Sequence, residues 1–329
     1  MGKRFRLKEV HIKFLLFVVI LVVFALIQPK VFTAINLFSM LNDAVFTGIV
    51  ALGMMVIMVT GNLDLSSTSI GMMSGYMMLR LFQMLGYAGD FVTAFIVSGI
   101  FGALLGMLSG YLSKKFNLSG FVVSIGMDLI YSSIAFIFID QPTIKTAEMP
   151  QNLLQMRTAS LLTIKTDTGL TAKLNIGILL VIIVAIILSI FLNKTQLGRG
   201  IYALGGDKVA VERVGYNPMK LTLVAYAVFG ACCGIAATYF YCNTGSFETG
   251  TITSRGTDVI TAAIFGGCNM KDGKGSVSGI LVGVAIITVI KSNLILLGVP
   301  AYYITFVVGL LILGGVLFST LAERRMQKA

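Results

Sequence analysis

Apolar residues in this chain come in runs of about twenty, separated by short clusters of glycine, proline, asparagine and charged residues. A helix needs ~20 apolar residues to cross a hydrocarbon core. Such runs fall at 12–28, 41–60, 66–86, 91–112, 119–139, 174–192, 221–241, 257–270, 276–297 and 301–321. They predict an all-α polytopic membrane protein with about ten transmembrane helices, forming one transmembrane domain over 1–329. The eighth run is short and rich in glycine and alanine, which predicts a broken or partly crossing helix. Two connections are long. Residues 140–173 hold Pro142 and Pro150 and are predicted to carry short helices or turns. Residues 193–220 are predicted to hold a short amphipathic helix flanked by glycines.

Composition agrees with a bilayer. The 329 residues are 57% hydrophobic and 12% charged, against roughly 25% charged in soluble domains. The net charge of +11 is explained by topology. With ten spans both termini share one side, which then holds 17 of the 25 Lys and Arg. They are Lys3, Arg4, Arg6, Lys8, Lys13, Lys114, Lys115, Lys194, Arg199, Lys208, Arg213, Lys220, Lys271, Lys274, Arg324, Arg325 and Lys328. The positive-inside rule makes that side, and both termini, cytoplasmic. Connection 140–173 is then an outer loop and 193–220 a cytoplasmic segment. No basic face with interleaved aromatics is present, so nucleic acid is not expected as a partner; membrane lipid is. The basic start followed by Phe14–Ile27 has the look of a signal peptide, yet Gln28-Pro29-Lys30 follows without a small-x-small cleavage site. It is read as an uncleaved first span.

Three polar interruptions carry the candidate chemistry. The first is Gly61-Asn62-Leu63-Asp64-Leu65-Ser66. Asp64 and the following hydroxyls suit an N-cap of the next helix. An ionisable group near membrane depth also suits a pathway or gate. The second is Gly198–Pro218, in which Asp207 is predicted to cap a helix of one to two turns and Gly215 to end it. A short charged helix on the cytoplasmic face suits a docking partner, with Arg199, Tyr202, Asp207, Glu212, Arg213 and Gly215 as contacts. The third, Ile264–Ser276, superficially resembles a phosphate-binding loop. That motif needs G-x-x-x-x-G-K followed by Ser or Thr, whereas Gly275 follows Lys274 and the Gly267–Gly273 spacing is wrong. It is read as a tight turn between spans eight and nine.

Other polar residues fall within spans. Asp128 is expected to face the bundle interior. Asp258 and Lys291 are expected near the outer ends of their spans, with Lys291 snorkelling to the interface. Gly71-xxx-Gly75, Gly102-xxx-Gly106-xxx-Gly110 and Gly279-xxx-Gly283 predict close helix packing. Cys232, Cys233, Cys242 and Cys268 have no metal-ligand spacing and imply no disulfide framework. His11 is the sole histidine. Nothing in the sequence argues for an enzyme, a cofactor or a metal. Spans 2–5 and 7–10 enter from opposite sides, the geometry of an inverted repeat, though the halves are too dissimilar in sequence to assert one.

At these three motifs, over residues 40 to 320, the chain resembles the permease subunits of ribose-type ABC importers. Their Gly-Gly-Ile-Asp-Leu-Ser element stands here as Gly61-Asn62-Leu63-Asp64-Leu65-Ser66. Their inner loop is similar to Tyr202-Ala203-Leu204-Gly205-Gly206-Asp207, and a late block to Ile264-Phe265-Gly266-Gly267 and Gly273-Lys274-Gly275-Ser276. Departures are Asn62 for Gly, Asp207 for Asn, and Val209-Ala210-Val211 where an acidic, alanine-rich run is common. The resemblance implies import of a small polar solute, a monosaccharide such as ribose foremost, across the bacterial plasma (inner) membrane. It implies a second permease chain, identical or paralogous, a cytoplasmic ABC ATPase docking on 199–217, and an extracytoplasmic solute-binding protein. Asn62, Asp64, Ser66, Asp128 and Asp258 are the candidate pathway or gate residues.

Other readings remain open from sequence. The solute could be a nucleoside or an autoinducer-like furanose. An ion-coupled secondary transporter would need an ion site, for which Asp64, Asp128 and Asp258 are the obvious candidates. A scaffold protein would leave the inner loop without a purpose.

Overall fold

A computed structural model of the protein describes residues 17–24, 26–138, 143–165, 169–270 and 272–328. The N-terminal basic cluster, His11, the start of the first span, Pro142 and Lys271 lie outside them. Residues 17–24 and 26–27 are helical. The helices that follow are α1 Ala34–Val59, α2 Ser67–Met84, α3 Phe91–Lys115, α4 Gly120–Phe138, α5 Gly177–Lys194, α6 Gln196–Gly206, α7 Lys208–Arg213, α8 Pro218–Thr244, α9 Gly256–Phe265, α10 Val277–Leu296 and α11 Ala301–Lys328.

Among the described residues the predicted runs are largely helical; α1 begins seven residues before its run, α11 ends seven after its run, and run 257–270 leaves the helix at Phe265. Five helices, α1, α3, α5, α8 and α10, are long and apolar enough to cross a membrane. The runs in α4 and α11 have shorter apolar stretches, Gly120–Ile134 and Ala301–Gly314. Helix α9 has 10 residues, as the short eighth run predicts; at 1.5 Å per residue it covers roughly half a bilayer.

Local chemistry sets the ends. Asp90 accepts the Thr93 N–H at 2.9 Å and opens α3, which closes on Lys114 and Lys115. Asn217 accepts the Lys220 N–H, Pro218 fills the first turn, and Gly245 in the left-handed region ends α8. Ser276 accepts the Gly279 N–H at 3.1 Å and opens α10.

Helix α1 is the centre of the bundle, buried without a break from Val45 to Val59. Around it stand α5, α8, α9 and α10. The tightest seam joins α3 and α8. A Cβ on Gly102 would overlap the Gly230 carbonyl, one on Gly106 the Tyr226 carbonyl, and one on Gly234 the Ser98 carbonyl. Backbones that close explain the Gly102-xxx-Gly106 spacing and reveal its partner, Gly230-xxx-Gly234. Gly71 faces Ala237 and Cys233, and Gly279 and Gly283 face Gly266 and Ala262. The cysteines form no disulfide.

Two expectations need correction. The chain is not purely helical. Two-stranded sheets pair β1 Thr143–Ile144 with β4 Phe247–Glu248, and β2 Ser160–Lys165 with β3 Thr171–Asn175. Connection 140–173 therefore holds a β-hairpin besides its one-turn helix Gln151–Leu154. Alternating Leu, Thr, Ile and Lys around Gly169 was its signal. Connection 193–220 holds two helices, with Gly198 and Gly200 inside α6. Those glycines are there because a side chain at Gly198 would strike the backbone of Phe191 and Leu192.

Candidate functional site

The three polar interruptions lie far apart in sequence and meet at one end of the bundle. Gly61, at φ +81°, stands against the Met270 carbonyl. A side chain at Gly205 would strike the Val59 carbonyl and Gly273. Tyr202 Oη donates to the Gly275 carbonyl at 2.9 Å. Between α9 and α10, Asn269 and Lys274 exchange backbone hydrogen bonds of 2.9 and 3.0 Å. No strand leads into this connection, and it joins α9 to α10 as expected. Lys114, Lys115, Lys194, Arg199, Lys208, Arg213, Lys220 and Lys274 stand on the elements that bound this end. At the opposite end, Gln83 Nε2 donates to the Glu148 carbonyl, Asn152 Nδ2 to Gly89, and Asn42 Nδ2 to Lys173.

The Asp64 motif is built differently from the expected cap. Ser66, not Asp64, is the N-cap of α2, and its side chain makes no cap bond. Asp64 Oδ1 instead accepts from Ser66 N–H at 2.7 Å and Ser66 Oγ–H at 2.5 Å. An Asx turn competes with capping for the same oxygen. Asp64 is 0% exposed, and Oδ2 has no hydrogen-bond partner among the described residues. Asn62 Nδ2 donates to Thr60 Oγ1 at 3.1 Å. Asp128 is half-buried on α4.

From Gly61 the chain rises, without helix, over residues 62–66 and enters α2 inside the bundle. Helix α9 starts against the same place from the other end: a Cβ on Gly256 would lie 3.4 Å from Thr68 Cγ2 and 3.9 Å from Ser67 Oγ. Two helix N-termini thus face each other in the interior, one belonging to span 3 and one to span 8. Ser66, Ser67, Thr68 and Ser69 are buried there, while Ser254 and Thr257 are exposed.

Asp258, in the first turn of α9, is paired with Lys291 of α10: Nζ to Oδ2 is 2.5 Å. Lys291 is 31% exposed, so it keeps contact with solvent while holding this protein partner. Sequence reasoning missed the neighbours of this pair. Asp43 on α1 lies within the field of Arg255 and Lys291. The Arg255 guanidinium sits 4.9 Å from the Phe240 ring centroid and 5.9 Å from that of Phe46, within cation–π range. Asp43, an acid inside an apolar run, was the available signal.

The proposed docking residues divide. Arg199, Asp207, Glu212, Arg213 and Gly215 are exposed, while Tyr202 is turned inward onto Gly275. Asp207 does cap α7, accepting from Val209 N–H at 2.9 Å and Ala210 N–H at 3.1 Å, and Gly215 follows its end at φ +89°. Val209 and Val214 stand 57% and 76% exposed beside them.

Comparison with known proteins agrees with this architecture. The family model described as "Branched-chain amino acid transport system / permease component" matches residues 36–316. The chain is 26% identical over 299 residues to the ribose import permease protein RbsC of Escherichia coli (strain K12), covering 91% of this chain and 90% of that protein. It is 26% identical over 287 residues to the fructose import permease protein FrcC of Rhizobium meliloti, covering 86% and 77%. It is 27% identical over 312 residues to the D-allose transport system permease protein AlsC of Escherichia coli (strain K12), covering 94% and 91%. No solved structure matches the chain. With most of its length matched by the family model and its apolar helices long enough to span a bilayer, this chain belongs to the branched-chain amino acid transport system / permease component family of membrane proteins.

Proposed function

We propose that this chain is the membrane-spanning subunit of an ABC importer that carries a monosaccharide across the bacterial plasma membrane. The observation that carries the solute class is the set of relatives named for ribose, fructose and allose, each aligned over most of both chains. Their names favour a sugar over the amino acids of the family's description. Within the fold, the N-termini of α2 and α9 and the residues Asn62, Asp64, Ser66, Asp128 and Asp258 form the pathway or its gate. Uncapped N–H groups and buried hydroxyls suit a solute that both donates and accepts hydrogen bonds.

Energy enters from outside the chain. The α6–α7 segment, with Arg199, Asp207, Glu212, Arg213 and Gly215 exposed and Val209 and Val214 beside them, docks a cytoplasmic ABC ATPase. Tyr202 ties that segment to the Gly275 turn. A second permease chain and an extracytoplasmic binding protein complete the assembly, and both termini are cytoplasmic. The ion-coupled alternative is weakened because Asp258 is already committed to Lys291.

The test is uptake of labelled ribose, fructose and allose by cells carrying this chain with its ATPase and binding protein. Vanadate-sensitive, uncoupler-resistant accumulation of at least one sugar is expected. Accumulation abolished by an uncoupler and indifferent to vanadate would overturn the ABC reading. Uptake of branched-chain amino acids alone would overturn the sugar.

A further inference from the structure

At the end of the bundle where the three motifs meet there is a small polar cavity of about 40 Å³. It is lined by Thr60 and Asn62, by Ser113, Lys114, Asn117 and Leu118 at the end of α3, by Leu204 and Lys208 of the α6–α7 segment, and by Thr222 of α8. A single water needs roughly 10–15 Å³ measured this way, so the space suits a compact polyatomic group. Its lining contains two ammonium groups, two amides and no carboxylate.

No Asp or Glu belongs to that lining, although Asp64, Asp207 and Glu212 stand on the same segments. Asp207 Oδ1 accepts from the α7 backbone. Asp272 is paired with Lys274 at 2.7 Å. Asp64 Oδ1 is turned onto Ser66, while its Oδ2 has no hydrogen bond among the described residues. Among the described residues no carboxylate lies within ion-pair distance of Lys114 or Lys208. Thr60, Ser113 and Thr222 each donate their hydroxyl proton to a backbone carbonyl, Ile57, Leu118 and Pro218. The side chains left to answer an occupant's charge are therefore the two lysines, with the amides of Asn62 and Asn117 as further donors.

We propose that this cavity binds a phosphate group, held between Lys114 of α3 and Lys208 of α7, and so fastens the α6–α7 segment to the end of α3. Two ammonium groups around an acid-free pocket favour an anion of charge −1 to −2, and phosphate accepts bonds from several donors at once. The phosphate can come from a free ion or from the headgroup of an anionic phospholipid in the adjoining leaflet. Asn62 borders both this site and the proposed solute pathway; the site stands whether or not the solute is a sugar.

The experiment is calorimetric titration of the purified full-length protein in neutral detergent. One arm uses inorganic phosphate and the other short-chain phosphatidylglycerol, with phosphatidylcholine as the blank. Binding is expected in at least one arm: inorganic phosphate alone identifies a free-ion site, and phosphatidylglycerol alone a lipid site. K114Q and K208Q should each weaken it about tenfold or more, and K114R should restore most of it. K220Q removes a neighbouring charge outside the cavity and should leave it unchanged. Helicity measured by circular dichroism separates loss of binding from loss of fold; if neither K114Q nor K208Q stays helical, K114R, K220Q and the two titrations of the unaltered protein decide. No heat in either arm, or equal weakening by K220Q, overturns the proposal.

Discussion

Single residues show where local sequence logic held and where a neighbour overrode it. Asp90, Asp207, Asn217 and Ser276 cap the helices that follow them, because capping needs only the next three residues. Asp90 carries a test. Hydroxyl donors from Thr93 and then Tyr87 hold its carboxyl at about 2, below the usual 3.8. A depressed carboxylate contributes stability that is present above about pH 4 and is lost as pH falls through about 2. The stability difference between wild type and D90N, read by thermal unfolding in detergent, should shrink across that window; a pH-independent difference would mean the hydroxyls do not act on the charge. Asp64 and Lys291 could not be read so locally. Asp64 turned to Ser66 instead of capping, and Lys291 found Asp258 33 positions away. Removing one partner of a buried pair costs about 3–5 kcal/mol. Lys291 is 31% exposed, so K291M is expected to cost less, about 2 kcal/mol. The double variant D258N/K291M should recover most of its thermal midpoint. D64A should insert normally and lower uptake at least tenfold, about 1.4 kcal/mol; wild-type uptake would reduce the motif to a turn.

At the level of elements, the apolar runs foretold nearly every helix because bilayer thickness fixes their length. The short α9 was legible from its glycines and alanines. The β2–β3 hairpin was not predicted, since a connection rich in turn residues hides a six-residue alternation. Helix α6 was also missed, because Gly198 and Gly200 weaken helix propensity by about 1 kcal/mol each. Its contacts with α5, Tyr216 and Leu221 compensate. The α3–α8 seam makes a direct prediction. G102A forces a methyl into the Gly230 carbonyl and should cost about 1–3 kcal/mol or more. G126A, with nothing within 4 Å of its Cβ, should be neutral or stabilising by up to about 1 kcal/mol. Equal thermal midpoints for the two variants would contradict the packing.

For the whole molecule, the predictions concern sidedness and coupling. Cysteines introduced at Ser160 and Lys220 sit at opposite ends of the bundle. An impermeant thiol reagent added to intact spheroplasts should label S160C and spare K220C, and the reverse pattern would invert the topology. Replacing Asp207 and Glu212 with Ala should leave ATP hydrolysis running while uptake falls; normal uptake with the ATPase bound would remove the α6–α7 segment from the coupling path. By itself, the sequence determined which segments are helical and how charge is distributed along the chain, because each depends on a stretch no longer than one crossing. Only the tertiary structure decided what those elements do together. Tyr202 meets Gly275 across 73 positions and Asn36 meets Asn293 across 257. The opposed starts of α2 and α9 and the acid-free cavity between Lys114 and Lys208 exist only once such distant segments pack. A run of apolar residues states how far it reaches across a bilayer; which face it turns to its neighbours is settled by backbones close enough to need glycine.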